Sequence, residues 1–450
     1  NNPKLLEKKV STDFLIIGGG FAGLAAAERI TQIQPKARIA VVEAIRIGDG
    51  PSGRNSGFMI DIPHDLSSSN YSGNLEEDRN EIRKNRKGID FAKKMAYEFN
   101  LSSEAYDLNG KINGAATEKG VMHNLSFSKH LSNLGEKYEL LDAKEMHNIT
   151  GTSYYKNGLF TPYSAIIQPA LYIRGIASGL KKKGVQIFEN SPIIDLKKET
   201  NWIARTPKGK IEAPSVILAV NGNLNNFGFM KSRLMHVYTY ASMTRKLTRE
   251  ETKSLSGETS WAITSADPMG TTVRRISGIG GNRIIIRNRF TFNPSMTVSR
   301  KILSKAFKTH DNSFRKRFPM LKNLQMEYRW GGQLCLSRNN VQVVKKLADQ
   351  LYSACCQNGL GTAKGTLAGI CAAELATNKV SKTTKMLENE EKPQLLPPKP
   401  LAMAVNSSSA IFARSRVTPM RIKSGTATSV SFVMVPNMRP DNAATKLASK

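Results

Sequence analysis

Apolar and polar positions near the N-terminus follow the order of a strand, a helix and a second strand. Residues 12–17 (TDFLII) form a short apolar run typical of a buried strand, and residues 24–33 are alanine-rich and end before Pro35. A second apolar run over 38–42 is closed by Glu43. This order predicts a βαβ unit of about 30 residues.

Further along the chain, helix-like and strand-like patterns alternate. Residues 75–150 are charged and mostly helical in periodicity, and alternating runs between 238 and 292 indicate an antiparallel sheet. The other predicted elements are helices over 167–180 and 365–375, strands over 185–188, 216–220 and 349–354, and a hairpin of 202–205 with 209–212. The predicted fold class is therefore α/β.

Basic residues outnumber acidic ones by a wide margin. The 450-residue chain has 66 Lys+Arg and 36 Asp+Glu, a formal net charge of +30. The basic residues are spread along the chain, in pairs such as Arg274-Arg275, and no helix-turn-helix, zinc-finger or RNA-binding signature accompanies them. We interpret most of them as solvated surface that helps to attract anionic ligands, and we do not expect a nucleic-acid partner.

The sequence shows no sign of a membrane span, a signal peptide, a disulfide framework or a zinc site. No stretch approaches the ~18–20 apolar residues of a membrane helix, and the first ten residues are polar and basic. The four cysteines form no Cys-x-x-Cys pair and no zinc-like cluster with histidine. We expect a cytoplasmic enzyme with reduced thiols, no membrane span and no bound metal.

A Gly-x-Gly-x-x-Gly turn joins the first predicted strand to the helix. Gly18 makes the tight turn, Gly20 lets the backbone approach a pyrophosphate, and Gly23 allows close helix–strand packing. Glu43 follows 20 residues after Gly23, where a carboxylate can accept from both ribose hydroxyls. The pattern predicts a dinucleotide site with further contacts from Phe21, Ala22 and Ala44.

The stretch after Glu43 distinguishes FAD from NAD. Residues 48–58 read GDGPSGRNSGF, which offers backbone donors and a guanidinium but little apolar surface. Such a loop can wrap a second phosphate and reach an isoalloxazine ring, and a plain NAD dehydrogenase does not need it. The predicted cofactor is FAD, with contacts from Ser52, Gly53, Arg54, Asn55, Ser56 and Gly57.

With these motifs, the chain resembles the FAD-dependent amine and amino-acid oxidases of the D-amino-acid oxidase, glycine oxidase and sarcosine oxidase superfamily. Its loop is most similar to that of the gamma-glutamylputrescine oxidase type. Later landmarks are GVQIFENSPI, then APSVILAVNG, then WGG and LYSACCQNGLGTAKGTLAG, so that the resemblance covers about residues 12–380. It implies further FAD contacts from Pro192, Ile193, Asn221, Gly222, Asn358, Gly359, Leu360, Gly361 and Thr362.

The resemblance also implies the domain organisation. A Rossmann-like FAD-binding domain, with a parallel sheet and helices, is interleaved with a substrate domain built on an antiparallel sheet. The FAD-binding parts are 10–75, 161–232 and 329–385. The substrate parts are 76–160, which is mostly helical, and 233–328, which forms the sheet. Residues 386–450 are a proline-rich segment and a flexible tail.

The implied reaction is the oxidation of a C–N bond in an amine or amino acid. Hydride passes to flavin N5 and leaves an imine, and oxygen is the implied electron acceptor. Three alternatives stay open. The chain could be an FAD dehydrogenase that passes electrons to a quinone or a protein carrier, an RNA-associated flavoprotein, or a flavin-binding protein without catalysis.

Candidate catalytic and substrate residues rest on thinner grounds. His64 follows the flavin loop, and Tyr240 lies with Tyr238 on an alternating strand of which one face would meet the flavin. The resemblance implies that Lys364, just after the last glycine loop, helps oxygen to react. Trp330 could pack on the flavin or pocket, and one arginine of a nearby strand could hold a substrate carboxylate by bidentate pairing. Of Arg287 and Arg289 in that strand, we take Arg289 as the candidate.

Overall fold

The helices and strands below are those of a computed structural model, which describes residues 3–62, 74–267 and 270–397. The α-helices are α1 (Phe21–Ile33), α2 (Leu75–Glu98), α3 (Glu118–Leu134), α4 (Ala143–Thr150), α5 (Pro169–Lys182), α6 (Arg249–Leu255), α7 (Arg300–Arg317), α8 (Ala363–Ala376) and α9 (Lys382–Glu388). Short 3-10 helices span Pro51–Gly53, Asn221–Phe227 and Pro319–Leu321.

The strands of the described residues form four sheets. They are β1 (Lys9–Ser11), β2 (Phe14–Ile17), β3 (Ile39–Val42), β4 (Phe58–Met59), β5 (Tyr106–Asp107), β6 (Lys111–Ala115), β7 (Glu139–Leu141), β8 (Asn157–Thr161), β9 (Ala165–Ile167), β10 (Gln186–Phe188), β11 (Asp195–Lys198), β12 (Trp202–Arg205), β13 (Lys210–Ala213), β14 (Ser215–Leu218), β15 (Leu234–Thr244), β16 (Trp261–Ser265), β17 (Thr272–Gly278), β18 (Gly281–Phe292), β19 (Met326–Ser337), β20 (Lys346–Ala348) and β21 (Leu351–Ser353).

A six-stranded sheet carries the glycine turn. Its order is β10-β3-β2-β14-β21-β20, and every pair is parallel except β20–β21. Strands β2, β3 and β14 are buried along their whole length, as expected for a parallel sheet covered on both sides. Helices α1 and α8 pack closely because Gly369 has no side chain. A Cβ at this position would collide with the carbonyl oxygen of Ala22. The predicted βαβ unit is confirmed.

The largest sheet of the described residues has eight strands, in the order β19-β15-β18-β17-β16-β6-β8-β7. All its pairs are antiparallel except β16–β6, which confirms the antiparallel pattern predicted for 238–292. Cross-strand register places Trp330, Ala241, Arg287 and Thr272 in one row. We call the side of the sheet that bears this row the loop-side face.

The opposite, helix-side face of this sheet is covered by an apolar core. Residues such as Ile263, Val273 and Ile286 pack there against Phe314 of α7 and against Phe318. In an extended strand successive side chains point to opposite faces, so these residues alternate with the loop-side row. The α/β fold class, with one mostly parallel and one mostly antiparallel sheet, is confirmed.

Two smaller sheets complete the fold. Strands β1, β13, β12 and β11 form one, and β12–β13 is the hairpin predicted for 202–205 and 209–212. Strands β4, β9 and β5 form the other. The helix predicted over 167–180 begins at Pro169 instead, because Ile167 pairs in β9 with Tyr106 of β5.

The two large sheets draw alternately on the chain. The six-stranded sheet takes strands from 14–42, 186–218 and 346–353, and the eight-stranded sheet takes them from 111–161 and 234–337. Strand β19 crosses the boundary predicted between 328 and 329, because it pairs along its length with β15. The predicted tail lies outside the described residues from position 398 onward.

The structure corrects our interpretation of one basic pair. Arg274 and Arg275 do not lie on the surface; only 6% and 1% of them is exposed. They occupy adjacent positions in β17, and both faces of that strand are covered. Among the described residues, no helix is long and apolar enough to cross a membrane.

Helix α7 is fixed to the helix-side face by a buried histidine. His310 Nδ1 lies 2.7 Å from Ser242 Oγ, and its Nε2 lies 3.2 Å from the carbonyl oxygen of Asn288. A neutral ring can accept from the hydroxyl and donate to the carbonyl. Burial lowers the pKa of His310 from 6.5 to about 4, so the folded protein holds this neutral form.

We therefore expect His310 to make the free energy of unfolding depend on pH. Its stabilising contribution is fully present above pH 6.5 and is lost as the pH falls towards 4, because the unfolded chain then binds a proton that the folded chain does not. As the pH falls through this range, the free energy of unfolding measured with urea is expected to decrease more steeply in the wild type than in His310→Gln, by up to ~1.4 kcal/mol per pH unit. His147→Gln, at an exposed position, is the control and should keep the wild-type slope. Equal slopes in the wild type and His310→Gln would contradict the assignment.

Candidate active site

The glycine turn lies at the carboxyl ends of β2 and β14, where ligands bind in open parallel sheets. Gly18 has φ of +107°, and a side chain there would collide with the carbonyl oxygen of Ala219. A side chain at Gly23 would collide with the carbonyl oxygen of Gly18. The backbones at Gly18, Gly23 and Ala219 therefore lie closer together than residues with a Cβ would allow. Helix α1 begins at Phe21, and its first amide groups are directed at this crevice.

Glu43 lies beside the turn, at the end of β3. Its Oε2 accepts from the amide of Gly19 at 2.8 Å, and its Oε1 accepts from the amide of Ile45 at 3.2 Å. Burial raises the pKa of Glu43, and these backbone donors oppose that shift. A carboxylate has about four lone-pair directions, so Glu43 can hold the backbone and still accept from a ribose.

The loop after β3 folds back over the turn. A side chain at Gly20 would collide with Ser52 Oγ, so the 3-10 helix Pro51–Gly53 lies directly above the glycines. Asn55 braces the loop from inside: its Nδ2 donates to the carbonyl of Ser52 at 2.7 Å and its Oδ1 accepts from the amide of Gly57 at 2.8 Å.

Two side chains of the eight-stranded sheet hold this loop against the loop-side face. Trp330 Nε1 donates to the carbonyl of Arg54 at 3.0 Å. Arg274 Nη1 donates to the carbonyls of Ser56 at 2.9 Å and Ile167 at 2.8 Å. Burial lowers the pKa of Arg274 to about 10. The loop thus crosses the sheet between β19 and β17. We call the region between the glycine turn and the loop-side face the cleft.

The other predicted cofactor segments gather around the same crevice. The amide of Ser191, just before Pro192 and Ile193, donates to the carbonyl of Glu43 at 3.0 Å. Asn221, with Gly222 after it, accepts at Oδ1 from the amide of Cys356 at 3.1 Å. Thr362 Oγ1 donates to the carbonyl of Phe58 at 2.6 Å, which ties the last glycine loop to the strand after the flavin loop.

In that last loop, the side chain of Asn358, which we predicted to contact FAD, is bonded to other parts of the protein. Asn358 Oδ1 accepts from the amide of Ser337 at 2.7 Å, and its Nδ2 donates to the carbonyl of Val341 at 2.9 Å. Its side chain therefore braces the end of β19. Gly359, with φ of +86°, and Gly361 have open space beside them, with no atom closer than about 4 Å to an added Cβ.

The predicted catalytic residues do not gather in the cleft. Lys364 Nζ lies 2.9 Å from Glu81 Oε2 of α2, so its ammonium is held in an ion pair. Tyr240 is 1% exposed, and its hydroxyl lies 2.5 Å from Thr291 Oγ1. Tyr240 pairs with Gly331 in the sheet. A Cβ added at Gly331 would face the rings of Tyr238 and Tyr240, whereas a Cβ added at Gly332 would face Arg54 on the other side.

Tyr240 is therefore on the helix-side face. The arginine candidate also lies away from the row of Trp330, since Arg289 is the exposed extra residue of a β-bulge between β15 and β18, with φ of +60°. His64 lies outside the described residues.

Sequence reasoning missed two cationic side chains on the loop-side face. Arg274 was interpreted as surface, although its alternation with Val273 in the strand pattern could have indicated an inward position. Lys111 on β6 is buried, burial lowers its pKa to about 8, and its Nζ donates to Asn113 Oδ1 at 2.6 Å. The described residues contain no cluster of His, Cys, Asp or Glu able to hold a metal ion.

The architecture is shared with solved flavoenzymes. Glycine oxidase from Geobacillus kaustophilus superposes with a TM-score of 0.68 at 15% identity, covering 85% of this chain and 99% of that one. L-Proline dehydrogenase from P. horikoshii superposes with a TM-score of 0.67 at 18% identity, covering 84% and 97%. At these identities the likeness establishes the fold.

Sequence comparison identifies the family. The model of the DAO family of FAD dependent oxidoreductases matches residues 13–375, and this chain belongs to that family. Similar proteins include the probable oxidoreductase OrdL of Haemophilus influenzae, 25% identical over 388 residues, covering 80% of this chain and 82% of that protein. Gamma-glutamylputrescine oxidoreductase of Escherichia coli K12 is 23% identical over 382 residues, covering 82% and 84%.

The chain is accordingly an FAD-dependent oxidoreductase, which confirms the predicted family and cofactor. The crevice fits that cofactor on geometric grounds. Its glycines leave a cradle that any Cβ would fill, and a carboxylate stands at the end of the second strand.

We expect Glu43→Gln to weaken FAD binding without unfolding the protein. The amide can still accept from Gly19, but it loses the charge that strengthens bonds from ribose hydroxyls, and the expected loss is roughly 10-fold or more in affinity. Titration of the apoprotein with FAD, followed by quenching of flavin fluorescence, measures it. Glu199→Gln, an exposed carboxylate in a hairpin turn, is the matched control and should bind FAD as the wild type does. Unchanged affinity in Glu43→Gln would exclude a ribose contact.

Proposed function

We propose that this protein oxidises the C–N bond of an amine or amino acid, with FAD as the hydride acceptor and oxygen as the final electron acceptor. The observation that carries the proposal is the flavin loop of residues 52–57. Ser52 of this loop lies against Gly20 of the glycine turn, and the carbonyls of Arg54 and Ser56 are bonded to Trp330 and Arg274 of the loop-side face. A substrate in the cleft would thus lie between FAD and the eight-stranded sheet.

The chain's own residues supply binding and orientation. Gly18, Gly20 and Gly23 would cradle the pyrophosphate, and Glu43 would hold the adenosine ribose. FAD held there would supply an acceptor for the hydride of the carbon beside the amine nitrogen, and the resulting imine would be hydrolysed by water. The names of relatives support an amino-group donor, because they include a gamma-glutamylputrescine oxidoreductase and a glycine oxidase.

The amine must be neutral when its C–H is oxidised. The loop-side face favours this form, because it bears Arg274 and Lys111 in buried positions and positive charge disfavours a bound ammonium. No strong base is then required in the cleft. Orientation over the flavin becomes the main contribution of the protein.

Reduction of the flavin and its reoxidation test the two halves of the proposal separately. We expect the purified protein to be yellow, to bleach when an amine or amino acid is added without air, and to recover in air with one peroxide formed per substrate oxidised. Bleaching by none of a broad set of amines and amino acids would contradict the reaction. Slow recovery in air but fast recovery with a quinone or dye would assign the alternative, a dehydrogenase.

Trp330→Phe tests whether the loop-side face borders the reacting centre. The change removes the bond to Arg54 but keeps an aromatic ring, and we expect anaerobic flavin reduction to slow by up to ~10-fold, the value of one hydrogen bond. Rapid mixing at saturating substrate measures this step. Trp261→Phe on the helix-side face, where Trp261 stacks on Phe318, is the matched control and should lower thermal stability alone. The proposal would be weakened if the two variants reduced equally fast.

A further inference from the structure

Helix α7 carries a row of basic side chains on its outer surface. All of them are exposed, and we call this row the cationic stripe: Lys301, Lys305, Lys308, Arg315 and Lys316. At 3.6 residues per turn they fall within an arc of about 100°, and at 1.5 Å per residue they extend over ~22 Å. The stripe is therefore one continuous face of the helix.

The fold holds this face towards solvent. On the opposite side of the helix lie its buried residues, Ala306, His310, Phe314 and Arg317. Phe314 packs there on the helix-side face of the eight-stranded sheet. Asn312, which lies within the arc of the stripe, is exposed and uncharged. Because α7 is anchored from behind, the stripe cannot turn inward.

The stripe is not neutralised by the described part of the protein. None of its five side chains makes an ion pair or a hydrogen bond with the described residues. The single acidic residue of α7, Asp311, lies 2.7 Å from Arg329. Elsewhere exposed basic residues are paired, as Arg38 is with Asp13 at 2.6 Å. Like charges three and four positions apart on a helix repel one another, and an external anionic surface would offset that repulsion.

The side chains of the stripe discriminate between anionic partners. Four of the five are lysines, which are strongly hydrated point charges and are depleted at protein–protein interfaces. The arc bears no apolar or aromatic side chain that could form the dry centre of such an interface or stack on the bases of a single strand. A bilayer with anionic headgroups attracts lysines through its surface potential and does not need such a centre.

We propose that the cationic stripe binds the protein to the surface of a lipid bilayer that contains anionic lipids. The eight-stranded sheet lies between α7 and the flavin loop, because Phe314 packs on one face and Trp330 bonds the loop on the other. Docking through α7 consequently leaves the loop-side face uncovered. The attachment is electrostatic and reversible, since the stripe has no apolar side chain to insert, and salt weakens it by screening.

Cosedimentation with vesicles measures this binding without reference to turnover. Vesicles of phosphatidylcholine alone are compared with vesicles that also contain phosphatidylglycerol, at low and at physiological ionic strength. We expect binding only to the anionic vesicles. The triple variant Lys301→Gln, Lys305→Gln and Lys308→Gln should bind them roughly 100-fold more weakly, at about 5-fold per basic residue. Glutamine has nearly the helix propensity of lysine, so α7 is retained.

The control removes the same charge from other helices. Lys93→Gln, Lys94→Gln and Lys182→Gln change exposed positions of α2 and α5, and this triple variant lowers the net charge by the same amount. It should bind anionic vesicles nearly as tightly as the wild type does. Equal losses in the two triple variants would show that net charge governs binding, and would overturn the role of the stripe.

A fluorescent label tests which face meets the bilayer. All four native cysteines are buried, so an environment-sensitive dye can be attached selectively at Asn312→Cys, inside the stripe. We expect its emission to shift to shorter wavelength on anionic vesicles. The same dye at Tyr97→Cys, where Tyr97 of α2 is 87% exposed, should not shift. A shift at position 97 alone would contradict docking through α7.

A duplex RNA, titrated under the same conditions, distinguishes the other polyanion. Binding to the duplex but not to anionic vesicles would overturn the proposal and assign the stripe to nucleic acid. Absence of binding to anionic vesicles at low ionic strength would overturn it as well. Retained FAD content and an unchanged circular dichroism spectrum show that each variant is folded.

Discussion

The guanidinium of Arg274 is the contact on which the arrangement of the cleft depends. Its Nη1 bonds the carbonyl of Ser56 in the flavin loop and that of Ile167 in β9, while its backbone belongs to the eight-stranded sheet. Three separate parts of the chain therefore meet at one buried nitrogen. A side chain at Gly57 would collide with it, so the loop must present bare backbone at this point. The distance between the loop and the sheet is set here.

The backbone arrangement of the glycine turn and its neighbouring carboxylate could be predicted from the sequence because its physics is local. A tight turn needs glycine at given spacings, and the carboxylate at the end of the next strand follows from the length of a βαβ unit. The contact between Gly19 and Glu43 joins residues only 24 positions apart. The loop of 52–57 could be predicted for the same reason, since its composition alone suggested backbone donors close to the glycine turn.

The substrate half could not be predicted in the same way, because it depends on register between distant strands. The pattern around Tyr238 and Tyr240 indicates a strand, but which of its faces meets the cofactor depends on pairing with Gly331, some 90 residues later. For the same reason the sequence did not show that Arg274 is buried or that Arg289 lies exposed in a β-bulge. Lys364 shows a related limit, since its partner Glu81 lies on a helix far away in the chain.

Neighbouring residues on a strand of the eight-stranded sheet lie on opposite faces and therefore have different contacts. Trp330 and Gly332 lie against the flavin loop, whereas Gly331 between them faces the rings of Tyr238 and Tyr240. Arg274 reaches the loop, whereas Val273 and Arg275 point to the opposite face. Mutational tolerance along β17, β18 and β19 should consequently oscillate with a period of two. Libraries that vary every second position could retune selectivity, while the intervening positions remain free to be optimised for robustness.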